Sequence, residues 1–233
     1  MGAVTAPFVL VVTGMAFEAR IAAGPHCRVV HGVRGLALEQ EVSAMASRQC
    51  MGILSFGVAG GLEPTLAPGE VVLADAVCAP GERYDTDSTW LRAMHAALPH
   101  ARIGMAAGAD QPVLTVAAKA SLHRATGALC VDMESHLAAR MAAACRLPFA
   151  ACRVVIDPAS RAVPAAAAAG MGEQGKTDVP AVLRGLLRAP GDLPALLRLA
   201  RDAATARGAL RAARLALGDA FCLRDMRSRQ ADF

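Results

Sequence analysis

Aromatic side chains are scarce in this chain. They make up 3% of its 233 residues, with one Trp, one Tyr and six Phe. Binding of single-stranded nucleic acid by stacking needs more aromatic faces than these, and the core must be built from Ala, Leu, Val and Met. No uncharged stretch of about 20 apolar residues with membrane character is present, so a membrane-spanning helix is not expected. The Ala-rich run 162–171 is too short, and it contains Pro164 and Gly170. No two of the seven cysteines have C-x-x-C spacing. An odd number of thiols, several in apolar runs, points to a reducing cytoplasm and gives no disulfide or zinc framework. His26, Cys27 and His31 match no metal-ligand pattern. The dinucleotide fingerprint G-x-G-x-x-G and the phosphate-loop G-K-[ST] are also missing.

Hydrophobic residues amount to 55% and charged residues to 19%, which excludes disorder as the main state. The net charge of +4 is unevenly spread. Residues 1–180 hold 14 Lys+Arg against 15 Asp+Glu, a net of −1, and residues 181–233 hold 10 Arg against 5 Asp, a net of +5. A uniformly basic nucleic-acid face is therefore not indicated. The length suits one domain, read here as residues 1–220, followed by an Arg-rich tail, 221–233, that is expected to fray. The first apolar run is broken by Pro7, Thr13 and Gly14 and has no basic region before it, so it reads as a strand, not a signal peptide.

Strands are predicted at 7–13, 50–57, 70–77, 102–107 and 149–156, with weaker candidates at 27–31 and 128–131. Several are continuous apolar runs without alternation, as expected for strands covered on both faces. Helical patterns fall near 36–48, 88–98, 115–125, 133–145 and 179–217, the last interrupted around Pro190-Gly191 and Pro194. Strands alternating with helices imply crossover units and a single-domain, three-layer α/β/α fold with a mostly parallel central mixed sheet. The stretch 158–178 reads as a loop that is mobile and borders the site.

Ligands of open parallel sheets bind outside the carboxyl ends of the strands. Four stretches there stand out. Gly14 to Glu18 follows the first strand: Glu18 is either a base that orients a water or a first-turn helix acid. S-F-G-V-A-G-G-L at 55–62 has three glycines in five positions, which suits close backbone approach to a ligand or a tight turn. V-D-M-E-S at 131–135 places Asp132 and Glu134 around Met133, where a carboxylate can accept two sugar hydroxyls. The alternative is helix capping by Asp132. R-V-V-I-D-P at 153–158 ends on Asp157, either a proton donor in a poorly solvated site or a turn former before Pro158. His136, one turn into the helix after Asp132, is a candidate for support behind the site.

These four motifs, in this order, resemble the purine nucleoside phosphorylase and methylthioadenosine/S-adenosylhomocysteine nucleosidase superfamily from about residue 8 to 217. G-V-A-G-G-L with P-G-E-V-V-L-A-D (57–62 and 68–75), V-D-M-E-S, and Arg153 four residues before Asp157 carry the resemblance. Within it, G-M-A-F-E-A-R-I-A (14–22), S-F-G-V-A-G-G-L and the Asp157-Pro158 pair look most like the hopanoid-associated phosphorylase branch. That branch is implicated in releasing adenine from adenosylhopane. The resemblance implies that Asp157 protonates or hydrogen-bonds the purine imidazole nitrogen, Glu134 clamps the ribose hydroxyls and helps stabilise the cationic sugar, and Glu18 activates the incoming water. Met133, Asp132, Val58, Ala59, Gly60, Gly14 and Arg153 are then the expected substrate-binding residues. It implies no cofactor or metal, with phosphate as the one candidate co-substrate, and a homo-oligomer.

The chain departs from the phosphorylase pattern where phosphate would bind. Glu18, Ser55 and Val58 stand where donors to phosphate are expected, and Arg20 and Arg153 are the nearby substitutes. A phosphate dianion needs charge-assisted donors, so hydrolysis is favoured over phosphorolysis. In 194–217, Leu196, Leu199, Ala203, Ala206, Leu210 and Leu217 fall within an arc of roughly 80°, with Arg198, Arg201, Arg207 and Arg211 outside it. Such a helix either packs on the domain with a solvated arginine face or lies on an anionic membrane. The second case suits a lipid-linked adenine nucleoside handled at the inner face of the membrane. Other readings of the chain are a phosphate-dependent phosphorylase, a methylthioadenosine/S-adenosylhomocysteine nucleosidase, a non-catalytic nucleoside- or lipid-binding module, and a flavin or dinucleotide protein.

Overall fold

A computed structural model describes residues 6–32, 35–46, 49–169 and 189–223, together with positions 180, 184, 186 and 187. Its first strand, β1 (Phe8–Thr13), is buried along its whole length. Its side chains alternate between two cores. Phe8, Leu10 and Val12 pack with Leu38 and Val42 of α2 (Gly35–Met45) and with Leu137, Ala138 and Ala142 of α5 (Ser135–Cys145). Val9 and Val11 pack on the opposite face. Their partners are Ala22 of α1 (Ala16–Ala22), Trp90 and Met94 of α3 (Ser88–Ala97), and Ala206 and Leu210 of α7 (Leu193–Ala216). Period-two alternation on a doubly covered strand thus gives the expected three layers, α/β/α.

Strands β2 (Cys27–His31), β1 and β3 (Cys50–Gly61) run parallel. From β3 the sheet closes on itself. β3 pairs with β8 (Phe149–Asp157), β8 with β4 (Val71–Ala79), β4 with β6 (Arg102–Gly108), β6 with β7 (Cys130–Asp132), and β7 returns to β3. Two of these pairings, β3 with β7 and β4 with β8, are antiparallel, as is the edge hairpin to β5 (Glu82–Asp85). The sheet is mixed and mostly parallel, as predicted, but its centre is a closed ring.

Helix starts follow local chemistry. Asp87 accepts the amides of Thr89 and Trp90 at the head of α3, and Thr115 accepts Ala118 N at the head of α4 (Val116–Thr126). Gly127 ends α4 in the left-handed conformation, φ 70°, which glycine adopts without strain. A short helix, α6 (Ala165–Ala169), occupies part of the expected loop 158–178. Residues 170–178 of that loop lie outside the described residues. The helix predicted over 179–217 is seen as α7 from Leu193, preceded by a 3-10 turn at Pro190–Asp192.

Residues 221–223, expected to be part of a frayed tail, are packed into the core. Phe221 is fully buried, meets the Phe56 ring edge-on at 5.1 Å, and accepts a 2.6 Å hydrogen bond from Trp90 Nε1 through its carbonyl. Leu223 is also buried. Residues 224–233 lie outside the described residues. The apolar stripe of α7 faces the body of the protein, where Ala206, Leu210 and Leu217 are buried and Arg198, Arg201, Arg207 and Arg211 are exposed. Packing, not a membrane, accounts for that stripe. None of the seven cysteines is joined in a disulfide. Burial pushes the Cys152 thiol up to about 12, so it behaves as a small apolar group.

Candidate active site

The ring closure brings the site together. Gly60 of β3 lies opposite Val131 of β7 on one side and Asp157 of β8 on the other. The β3–β8 register slips between Ala59 and Gly60, an irregularity of the kind that re-aims side chains beside active sites. Met133 and Glu134 follow β7 directly, Asp157 ends β8, and Glu18 arrives from α1 across β3. One cavity is bordered by Glu18, Val58, Ala59, Gly60, Asp132, Met133, Glu134 and Asp157. Glu18 therefore shares one cleft with Glu134 and Asp157, which lie more than a hundred residues further along the chain.

Glu18 is buried, and its two oxygens accept Met15 N and Val58 N, each at 2.7 Å. Burial raises its pKa above the usual carboxylate value, against the pull of Arg153 and of the amides of Val58, Met15 and Gly14. Gly57 makes the arrangement possible, because a Cβ there would lie 2.6 Å from Glu18 Oε1 and 2.8 Å from Arg153 Nη1. Gly14 has the same relation to Glu134, whose Oε1 lies 2.5 Å from where a Cβ would be.

Asp132 is committed within the protein. Its Oδ1 accepts Glu134 N at 2.9 Å, Ser135 N at 2.7 Å and Arg153 Nη2 at 3.0 Å, and its Oδ2 accepts Ser135 Oγ at 2.7 Å. It caps the turn that aims Glu134, so the capping role accounts for its contacts. Arg153 lies beneath the cavity, 1% exposed, and donates to Ser55 Oγ, Ser135 Oγ and Asp132. Its Nη2 stands 3.9 Å from Glu134 Oε2. Arg153 therefore offsets the negative charge of the site from below and does not border the cavity. Arg20 borders a different cavity, between α1 and α7.

Asp157 is pushed above the ordinary aspartate value by burial, which outweighs the opposing pull of Lys119 and Arg161. Lys119 Nζ donates to Asp157 Oδ2. Sequence reasoning missed Lys119, although a signal was present: the chain has two lysines, Lys119 and Lys176, among its 24 basic residues. It also missed the segment after β6, where Gln111, Pro112, Val113 and Leu114 form one wall of the cavity with Val163. His136 is buried with Nε2 3.2 Å from Asp110 Oδ1 and does not border the cavity.

The described residues that line the cavity include four carboxylates and no lysine or arginine. Such a wall suits a cationic centre, such as a sugar carbon losing its base, and disfavours a phosphate dianion.

A sequence profile of the phosphorylase superfamily matches residues 8–188. No curated protein matches the chain. Among solved structures the fold is similar to S-adenosylhomocysteine nucleosidase of Streptococcus pyogenes in complex with 5-methylthiotubericidin. The identity there is 19% and the TM-score 0.59, over 68% of this chain and 86% of that one. The 5′-methylthioadenosine/S-adenosylhomocysteine nucleosidase of S. pneumoniae with a transition-state inhibitor, MT-ImmA, gives 15% and 0.62, over 90% and 99%. A futalosine hydrolase mutant of Helicobacter pylori strain 26695 gives 16% and 0.56, over 64% and 89%. At these identities the likeness is one of fold. The profile match, the nucleosidase-like architecture and the shared cleft lead to one conclusion: the chain belongs to the phosphorylase superfamily and is an enzyme of that α/β fold.

Proposed function

We propose that this enzyme hydrolyses the N-glycosidic bond of an adenine nucleoside. The observation that carries the reading is a single cavity bordered by Glu18, Glu134 and Asp157 with no cationic side chain among its described lining residues. Glu18 takes a proton from water as the water oxygen bonds to the anomeric carbon. The carbon–nitrogen bond breaks with its electrons moving to the base, and Asp157 delivers a proton to the purine imidazole nitrogen. Glu134 holds the ribose hydroxyls, and its charge favours the cationic sugar. Met133 packs against the ribose. The products are adenine and the free sugar. The solved neighbours include nucleosidases of adenine-containing substrates, which supports the same bond class here.

The finer substrate is adenosylhopane, on the resemblance of residues 14–22, 55–62 and 157–158, and the resemblance also supports a homo-oligomer. A second face of α7 supports a lipid connection. Leu193, Leu197 and Leu215 are 47%, 59% and 82% exposed, and their spacing puts them within about 40° of one another around the helix. Arg207 and Arg211 lie on or beside that face, and both border a cavity with Arg20, Phe17 and Leu215 that has no carboxylate among its described lining residues. Exposed leucines flanked by exposed arginines suit an anionic bilayer surface.

The test is incubation with adenosine, methylthioadenosine, S-adenosylhomocysteine and adenosylhopane, with and without phosphate, while free adenine is followed. Hydrolysis predicts adenine release without phosphate, fastest on adenosylhopane. Release that requires phosphate and yields a sugar 1-phosphate contradicts it. Co-sedimentation with phosphatidylglycerol vesicles, lost in Leu197→Asp/Leu215→Asp, tests the membrane contact.

A further inference from the structure

Lys119 is fully committed within the fold. Its side chain has no exposure at all. Its ammonium donates to Asp157 Oδ2, to Pro158 O at 2.9 Å and to Arg161 O at 2.9 Å, which uses all three protons. Burying an ammonium carries a desolvation cost that pairing only offsets, and replacing a buried ion pair by apolar groups is often neutral or stabilising. Stability alone is therefore a weak reason for a lysine here. The pairing is also asymmetric: it takes Oδ2 of Asp157, while Oδ1 accepts no protein hydrogen bond among the described residues.

We propose that Lys119 is the positioning residue of the proton donor. It fixes the Asp157 carboxyl and the 158–161 turn as one unit, leaves Oδ1 for the base, and stabilises the carboxylate formed when the proton is given up. The inference rests on the reading of Asp157 as the acid. Other charged groups facing Asp157 are Arg161, paired at 2.7 Å with Asp202 of α7, and Arg198 of α7, which borders a second cavity with them. Glu18, Asp132 and Glu134 face it across the active-site cavity. Lys119 is the cation in direct contact. Burial raises the Asp157 pKa and Lys119 opposes that rise; removing the cation lets the pKa climb further.

The test compares the parent with Lys119→Met, Lys119→Gln and Lys119→Arg, with folding checked by circular dichroism. An opposite charge at contact distance moves a carboxyl by about 1–3 units. In Lys119→Met the basic limb of kcat/KM moves up by about one unit or more. Meanwhile kcat falls about tenfold or more with KM little changed, because a weaker acid donates less readily. Lys119→Arg keeps the limb near that of the parent. If the Met variant does not fold, the Gln variant replaces it, since it loses the charge but keeps a donor for the carbonyls. Independently of any substrate, the carboxyl-carbon resonance of Asp157, assigned with Asp157→Asn, titrates at higher pH in the uncharged variants. A folded uncharged variant whose Asp157 titration and kcat match the parent overturns the proposal. Full activity in Asp157→Asn instead overturns the reading of Asp157 as the acid, and the role of Lys119 with it.

Discussion

A methyl group at Gly57 would sit between Glu18 Oε1 and Arg153 Nη1, at 2.6 and 2.8 Å. Glu18 is buried and held through both oxygens, and the buried Arg153 guanidinium is held through Nε and Nη2, so neither side chain can yield freely. Overpacking of this kind costs about 1–3 kcal/mol. Gly57→Ala is expected to lower the melting temperature and to reduce kcat about tenfold or more, because it displaces the base; unchanged kinetics would show that Glu18 is not held where it acts. Asp157→Asn keeps the shape but cannot deliver a proton, and a loss of about 10²–10⁴-fold in kcat is expected, read as adenine release. Both acting carboxyls are raised above their ordinary values of 4.5 and 3.8. Glu18 must be ionised and Asp157 protonated, so kcat/KM follows a bell whose two limbs are displaced upward. The sign for stability follows from the same shifts. A carboxyl with a raised folded pKa contributes fully below its unfolded value, and that contribution is lost as pH rises through the folded value. The melting temperature of Glu18→Gln, relative to the parent, therefore increases as pH rises above the ordinary glutamate range. A relative decrease over that rise contradicts the burial argument.

Among the elements, the C-terminal turn after α7 gives the clearest stability prediction. Phe221 and Leu223 are buried against Trp90, Phe56 and neighbouring core residues. Deleting 221–233 removes a buried aromatic side chain and is expected to cost about 3–5 kcal/mol, whereas deleting 224–233 leaves those contacts in place. Paired thermal melts of the two truncations separate the cases. Composition misled here, since an Arg-rich end reads as solvated and nothing local marks Phe221 as packed. The doubly buried strands were legible because continuous apolar runs such as 8–13 and 149–156 have few other homes. The glycine-rich end of β3 was not: 58–61 looks like a turn, and it becomes strand because β7 and β8 flank it. Helix α1 and strand β5 are short, and tertiary pairing rather than periodicity decides them. The amphipathic pattern of α7 was legible and its apolar stripe serves the core, while the second, exposed stripe was not read.

At the scale of the whole molecule, closing the β3–β8–β4–β6–β7 ring is what makes the site. It brings the residues that follow β7 and those that end β8 to either side of Gly60, and the β1–α1 turn supplies Glu18 beside them. The four motifs were visible in the sequence as stretches after strands. Their convergence was not, because antiparallel closure by a three-residue strand leaves no pattern, and the expectation came from family resemblance. Lys119 stayed hidden because its partners, Asp157, Pro158 and Arg161, lie 38 to 42 positions away. The charge of the molecule is divided as well, with acids lining the cleft and the arginine excess on the C-terminal quarter. The central claim is that three convergent carboxylates cleave a base from a sugar with water as the acceptor. The most direct measurement is adenine release from an adenine nucleoside in phosphate-free buffer enriched in ¹⁸O-water, for the parent, Glu18→Gln and Asp157→Asn. The account predicts release by the parent with ¹⁸O incorporated at the anomeric carbon, and near-complete loss in both variants. Release that depends on phosphate, or that persists in both variants, contradicts it.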